Sequence, residues 1–139
     1  MNNLIIFSDG GSRGNPGPAA IGFVIRKGSG KELVKLGREI GNTTNNVAEY
    51  TAILEALKWV KENVSLDGDL KINCYLDSLL VVRQLEGKFK IKDSKMKALA
   101  VKIKKLESEM DAEIFYLLVP REENKIADSL VNQALDKSF

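Results

Sequence analysis

Apolar and polar residues recur along this chain with two different periods. Leu4–Phe7 is an unbroken apolar run, too short for a helix, and it predicts a buried strand that stops on Asp9 at a Gly/Asn/Pro-rich turn. Ala20–Arg26 predicts a second strand, Lys27–Lys31 a hairpin loop and Glu32–Ile40 a third strand. Three consecutive strands with short connections are antiparallel neighbours. The period then lengthens. After the polar loop Gly41–Asn46, in which Asn45 or Asn46 is suited to cap a helix, Tyr50, Ile53, Leu54, Leu57, Val60 and Val64 recur at helical steps, so a helix runs to about Asn63 with Glu49 in its first turn. Leu70–Leu76 predicts a fourth strand ending on Asp77, Ser78–Leu85 a short helix and Glu86–Lys92 a basic turn. Ser94–Met110 predicts a longer helix with Met96, Leu99, Ala100, Ile103, Leu106 and Met110 inward. Its Lys95, Lys97, Lys102, Lys104 and Lys105 fall off that stripe and read as a solvated face. Glu113–Val119 is the fifth predicted strand, stopped by Pro120. Arg121–Asn124 leads into a last helix with Ile126, Ala127, Leu130, Val131 and Ala134 inward and Asp128 in its first turns.

A meander followed by alternating strands and helices predicts an α/β fold. Its five-stranded mixed sheet has the first three strands antiparallel, the fourth and fifth parallel to the first, and helices on its faces. The 139 residues, 44% hydrophobic and 29% charged, suit a single domain spanning 1–139. A net charge of +2 gives no strong global pull towards nucleic acid. The chain has one cysteine, Cys74, in a predicted strand, which reads as a core residue in a reducing, cytoplasmic setting. It has no histidine, which excludes Ser-His-Asp and Cys-His catalysis and zinc sites that use imidazole. No apolar run approaches the roughly 20 residues of a membrane span, so no membrane association is expected, and no signal peptide is visible.

Four carboxylates carry the candidate chemistry. Each has a plain reading by itself: Asp9 as a turn former, Glu49 as a favourable charge near a helix N-terminus, Asp77 as the end of a strand, and Asp128 as half of a solvated pair with Asn124. The topology changes that picture. Ligands in open α/β sheets collect beyond the carboxyl ends of parallel strands. Asp9 and Asp77 both end such strands, the helix of Asp128 starts near the same edge, and the first turn of the Glu49 helix can pack beside them. Clustered carboxylates repel and raise one another's pKa, and divalent cations relieve that repulsion. An all-oxygen ligand set selects Mg²⁺ or Mn²⁺. Two such ions sharing a carboxylate can activate water and steady the leaving oxygen of a phosphodiester.

Asp9-Gly-Gly-Ser12 with Asn15-Pro-Gly17, Thr44-Asn-Asn-Val-Ala-Glu-Tyr50, Asp77-Ser78 and Val119-Pro-Arg-Glu-Glu-Asn-Lys-Ile-Ala-Asp128 occur in order. With these the chain resembles type 1 ribonuclease H over nearly its whole length, most closely the archaeal and plant-like branch that lacks an active-site histidine loop. The resemblance implies endonucleolytic cleavage of the RNA strand of an RNA–DNA hybrid by a monomer using two Mg²⁺ ions, with Mn²⁺ able to substitute. It implies that Asp9 bridges both ions, that Glu49 and Asp77 complete one site, and that Asp128 helps hold the ion that carries the attacking water. Gly10, Gly11 and Ser12 would lie along the RNA, Asn46 in the minor groove and Thr44 at the DNA backbone, with Asn45 and Asn124 also on the substrate side. A hybrid's wide minor groove displays the 2′-hydroxyls that distinguish RNA. Leu79 departs from the family glutamine, the basic protrusion shrinks to Lys88–Lys92, and Arg121 stands nearest the place of the missing histidine, as a candidate catalytic cation. Two other readings compete. One is a non-catalytic RNA- or hybrid-binding module on the same fold. The other is a related metal-dependent nuclease, either cutting duplex RNA as well or belonging with the DNA-cutting transposases and resolvases.

Overall fold

The computed structural model describes residues 3–66 and 68–137. Strands β1 (Asn3–Ser12), β2 (Gly17–Lys27) and β3 (Glu32–Thr43) precede helix α1 (Asn45–Asn63). Strand β4 (Leu70–Leu76), helices α2 (Leu79–Leu85) and α3 (Ser94–Ser108), strand β5 (Ala112–Leu118), a single 3₁₀ turn (Arg121–Glu123) and helix α4 (Lys125–Asp136) follow. The sheet order is β3-β2-β1-β4-β5, with β1–β3 antiparallel and β4 and β5 parallel to β1, as the sequence predicts.

β2 explains how both faces come to be covered. Ile21, Phe23 and Ile25 join the main core under α1, while Ala20, one residue before them and so on the opposite face, packs with Val131, Ala134 and Leu135 of α4. Successive side chains of a strand point to opposite faces, so α1 and α4 lie on opposite sides of the sheet. Gly22 permits the close seat of α4, since a Cβ there would lie 2.5 Å from the Ala127 carbonyl oxygen.

Four expectations need adjustment. β1 does not stop at Asp9: its parallel pairing with β4 ends at Phe7 and Tyr75, but β2 continues as a partner to Ser12. β3 likewise runs past Ile40 to Thr43, because backbone pairing with β2 carries the polar residues Asn42 and Thr43. Thr44, rather than Asn45 or Asn46, caps α1, its hydroxyl accepting from Val47 N at 3.2 Å. In α4 the buried stripe is Ala127, Val131, Ala134 and Leu135, and Ile126 is 39% exposed. Ile126 instead lines a small surface cavity with Phe7, Val24 and Arg26 of the sheet. Leu79 begins α2 with Ser78 as its cap, and it is 48% exposed.

Candidate active site

The departure of β4 from β1 opens a cleft, and Asp9 stands two residues beyond the last paired position, Phe7. Asp77 follows the last residue of β4 directly. Gly10 then brings α1 down onto β1: a Cβ at this position would lie 2.2 Å from the Ala48 carbonyl carbon and 2.4 Å from Glu49 N. Only glycine tolerates that approach, and it seats Glu49 beside Asp9. Glu49 therefore differs from the exposed first-turn glutamate that the sequence suggested. It lies in the second turn and, like Asp9, is 8% exposed.

Asp9, Glu49 and Asp77 offer carboxylate oxygens that all lie within 4.8 Å of one another. Asp128 stands outside this trio, but its charge acts on Asp9. Burial, reinforced by Asp77 and Asp128, pushes the Asp9 carboxyl from 3.8 up to about 7. Burial is also the main cause raising Glu49 well above its ordinary range, followed by the charges of Asp9 and Asp77, while Arg121 pulls it back down. One Glu49 carboxylate oxygen, Oε2, is buried without a hydrogen-bond partner. Buried polar atoms are normally paired, so an orphaned carboxylate oxygen facing other carboxylates suits a cation.

The cavity measures about 440 Å³ and collects most of the predicted site: Asp9, Gly10, Gly11, Ser12, Asn45, Asn46, Glu49, Asp77, Arg121 and Asp128. The Asn45 side-chain oxygen accepts from Ser12 N at 2.8 Å and from Ser12 Oγ at 3.2 Å, and Asn45 N donates to Asn15 Oδ1 at 2.9 Å. These bonds tie the β1–β2 loop to the start of α1. Two predicted site residues are not on the wall: Thr44 is committed to capping, and Asn124 is 1% exposed with its amide turned inward. Arg13, Ser78, Val131, Asn132 and Leu135 also line the wall and were not among the predicted site residues. Arg13 pairs with Asp136 at 2.6 Å, and Asn132 donates to the Asp128 carbonyl at 3.2 Å. The spacing of Asn132, one helical turn after Asp128, was the available signal. A larger cavity of about 680 Å³ around Trp59 and Lys27 opens at the amino ends of β1 and β4, but none of the four carboxylates lines it.

A family model described as reverse transcriptase-like matches residues 7–134. A ribonuclease HI of Halobacterium salinarum is 39% identical over 130 residues, which cover 94% of this chain and 63% of that protein. LC11-RNase H1, isolated from compost by a metagenomic approach, has a solved structure that superposes with a TM-score of 0.92 at 43% identity, covering 99% of each chain. The chain belongs to the type 1 ribonuclease H family. A second structure shows LC11-RNase H1 in complex with an RNA/DNA hybrid; it matches this family member with a TM-score of 0.88 at 41% identity, over 97% of this chain and 98% of that one. A bifunctional protein of Mycobacterium tuberculosis is 39% identical over 134 residues, and this chain spans only 35% of its length. Among the described residues, no helix is long and apolar enough to cross a membrane.

Proposed function

We propose that this chain cleaves the RNA strand of RNA–DNA hybrids internally, as a monomer that depends on divalent cations. The convergence of Asp9, Glu49 and Asp77 within 4.8 Å carries the reading, and Asp128 and Arg121 share the same cavity. The hybrid-bound structure of LC11-RNase H1, with its close likeness to this chain, supports the choice of substrate.

The donor set fits hard cations, being all carboxylate oxygen with one buried oxygen unpaired. Asp9, central among the four acids, would be shared between two ions, with Glu49 and Asp77 completing one site and Asp128 the other. Bound there, Mg²⁺ or Mn²⁺ supplies activation of water and neutralises charge on the departing oxygen. The remaining steps fall to the chain itself. Gly10, Gly11 and Ser12 present backbone along the RNA strand, and Asn45 and Asn46, at the cavity wall, face the minor groove. Thr44, whose hydroxyl caps α1 outside the cavity wall, would meet the DNA backbone only beyond the cleft. Arg121 holds a fixed positive charge at the cleft and grips phosphate oxygens in a fork. It cannot serve as a neutral base, and the chain has no histidine to do so.

Incubation with end-labelled hybrid, duplex DNA and duplex RNA, each with Mg²⁺, Mn²⁺ or EDTA, tests the proposal. The expected result is internal cutting of the hybrid's RNA strand with either cation and none with EDTA. Hybrid binding without cleavage would leave a non-catalytic binding module, and cutting in EDTA would remove the cations from the account.

A further inference from the structure

We infer that Asn124 is a positioning residue that holds the Asp77 carboxylate from behind. It lies between the 3₁₀ turn and α4, and it reaches three of the four acid-bearing segments. Its side-chain Nδ2 donates to the Ser8 carbonyl at 2.9 Å and to Asp77 Oδ2 at 3.2 Å. Its own carbonyl accepts from Asp128 N at 3.1 Å. The Ser8 carbonyl belongs to the peptide that carries Asp9, so one amide links the peptide of the first acid to the carboxylate of the third.

The orientation of the amide follows from its partners. Asn124 Oδ1 is buried and makes no hydrogen bond. In the reversed orientation that oxygen would face the Ser8 carbonyl and the Asp77 carboxylate, three acceptors with no proton among them. The two donations therefore fix the amide, and the fixed amide fixes the carboxylate. The chemistry of the donor also matters. A lysine or arginine in this place would neutralise Asp77 and compete with a cation, whereas a neutral amide restrains the carboxylate and leaves its full charge. Groups that orient metal ligands from behind commonly change metal affinity by about 10- to 100-fold when removed. This role replaces the substrate contact expected for Asn124, because a side chain buried this deeply presents nothing to a hybrid.

The inference rests on the proposed cation-dependent site, and its test is kept separate from cleavage. Mn²⁺ binding to the substrate-free protein is measured by calorimetry for wild type, Asn124→Ala and Asn124→Asp, each alone and combined with Asp77→Asn. Both single variants are expected to bind Mn²⁺ at least about tenfold more weakly. In the Asp77→Asn background, removing Asn124 should cost little further, since the carboxylate it positions is gone. In cleavage assays, kcat should fall and recover with added Mg²⁺, while KM for hybrid changes by less than about threefold. Thermal melts check folding, and if Asn124→Ala does not fold, the shape-preserving Asn124→Asp carries the test. Native Mn²⁺ affinity in a folded variant overturns the inference, as does an equal loss in both backgrounds. If wild type binds Mn²⁺ but cuts no hybrid, the functional proposal falls while the coupling between Asn124 and Asp77 can still be read.

Discussion

Two glutamates on helices over this sheet meet opposite surroundings. Glu107 of α3 accepts a hydrogen bond from the Tyr116 hydroxyl on β5 and pairs with Lys104 at 3.3 Å. Glu49 of α1 meets the charges of Asp9 and Asp77, and its Oε2 has no donor at all. The same sheet thus supplies donors to one carboxylate and further carboxylates to the other. A charge kept for the fold comes with its partners built in. A charge left unpaired in a cleft is available to a ligand, here a cation, at a cost to the empty protein.

The sharpest way to break this contrast is to neutralise the acid cluster. Asp9→Asn or Asp77→Asn should reduce hybrid cleavage by at least about 1,000-fold, ~4 kcal/mol of barrier. The fold should survive, because each change removes a repelling charge. Near-normal rates with Mg²⁺, or an unfolded variant in circular dichroism, would contradict the assignment.

Next in size is Arg121, which faces the cluster from the turn after β5. Arg121→Ala should lower kcat about tenfold or more, ~1.4 kcal/mol, with much less change in hybrid affinity. A fully active variant would return Arg121 to the ordinary surface charges. The opposite pole of the comparison is Tyr116. Tyr116→Phe should cost about 1 kcal/mol of stability by removing a donor from Glu107, with cleavage rates unchanged. Loss of activity there would show that the Glu107 network also serves the site. The smallest effect concerns Lys88, Lys90 and Lys92, all exposed on the basic turn. Each lost phosphate contact should flatten the salt dependence of hybrid binding by roughly 0.9 log units per log unit of salt, the value for duplex DNA. An unchanged slope in the triple variant would show that the turn does not touch substrate.

Much of this was legible in the sequence because patterning dictates layers. The helical stripe of α1 and the apolar runs of β1 and β4 place their ends, and hence Asp9 and Asp77, at one edge of the sheet. Strand ends were less legible. β1 and β3 continue through Gly11, Asn42 and Thr43 because backbone pairing needs no particular side chain. The burial of Glu49 was hidden for a different reason. It depends on Gly10, a residue distant in sequence whose missing Cβ lets the helix close on the strand. Asn124 misled because a polar residue before a helix ordinarily faces water, and only the tertiary fold supplies Ser8 and Asp77 as its partners.

The central claim is that burial, reinforced by neighbouring carboxylates, makes charge in this cluster costly and that cations relieve the cost, and stability against pH tests it most directly. Because the folded Asp9 carboxyl is raised from 3.8 to about 7, the folded metal-free protein binds a proton there more tightly than the unfolded chain. That contribution is fully present below pH 4 and is lost as pH rises towards 7. Denaturant melts of wild type and Asp9→Asn in EDTA should therefore differ little at about pH 4, with the variant gaining steadily up to about pH 7. Mg²⁺ or Mn²⁺ should then restore wild type while leaving the variant nearly unmoved. A difference between the two proteins that stays flat with pH, or a wild type that cations do not stabilise, would contradict the account.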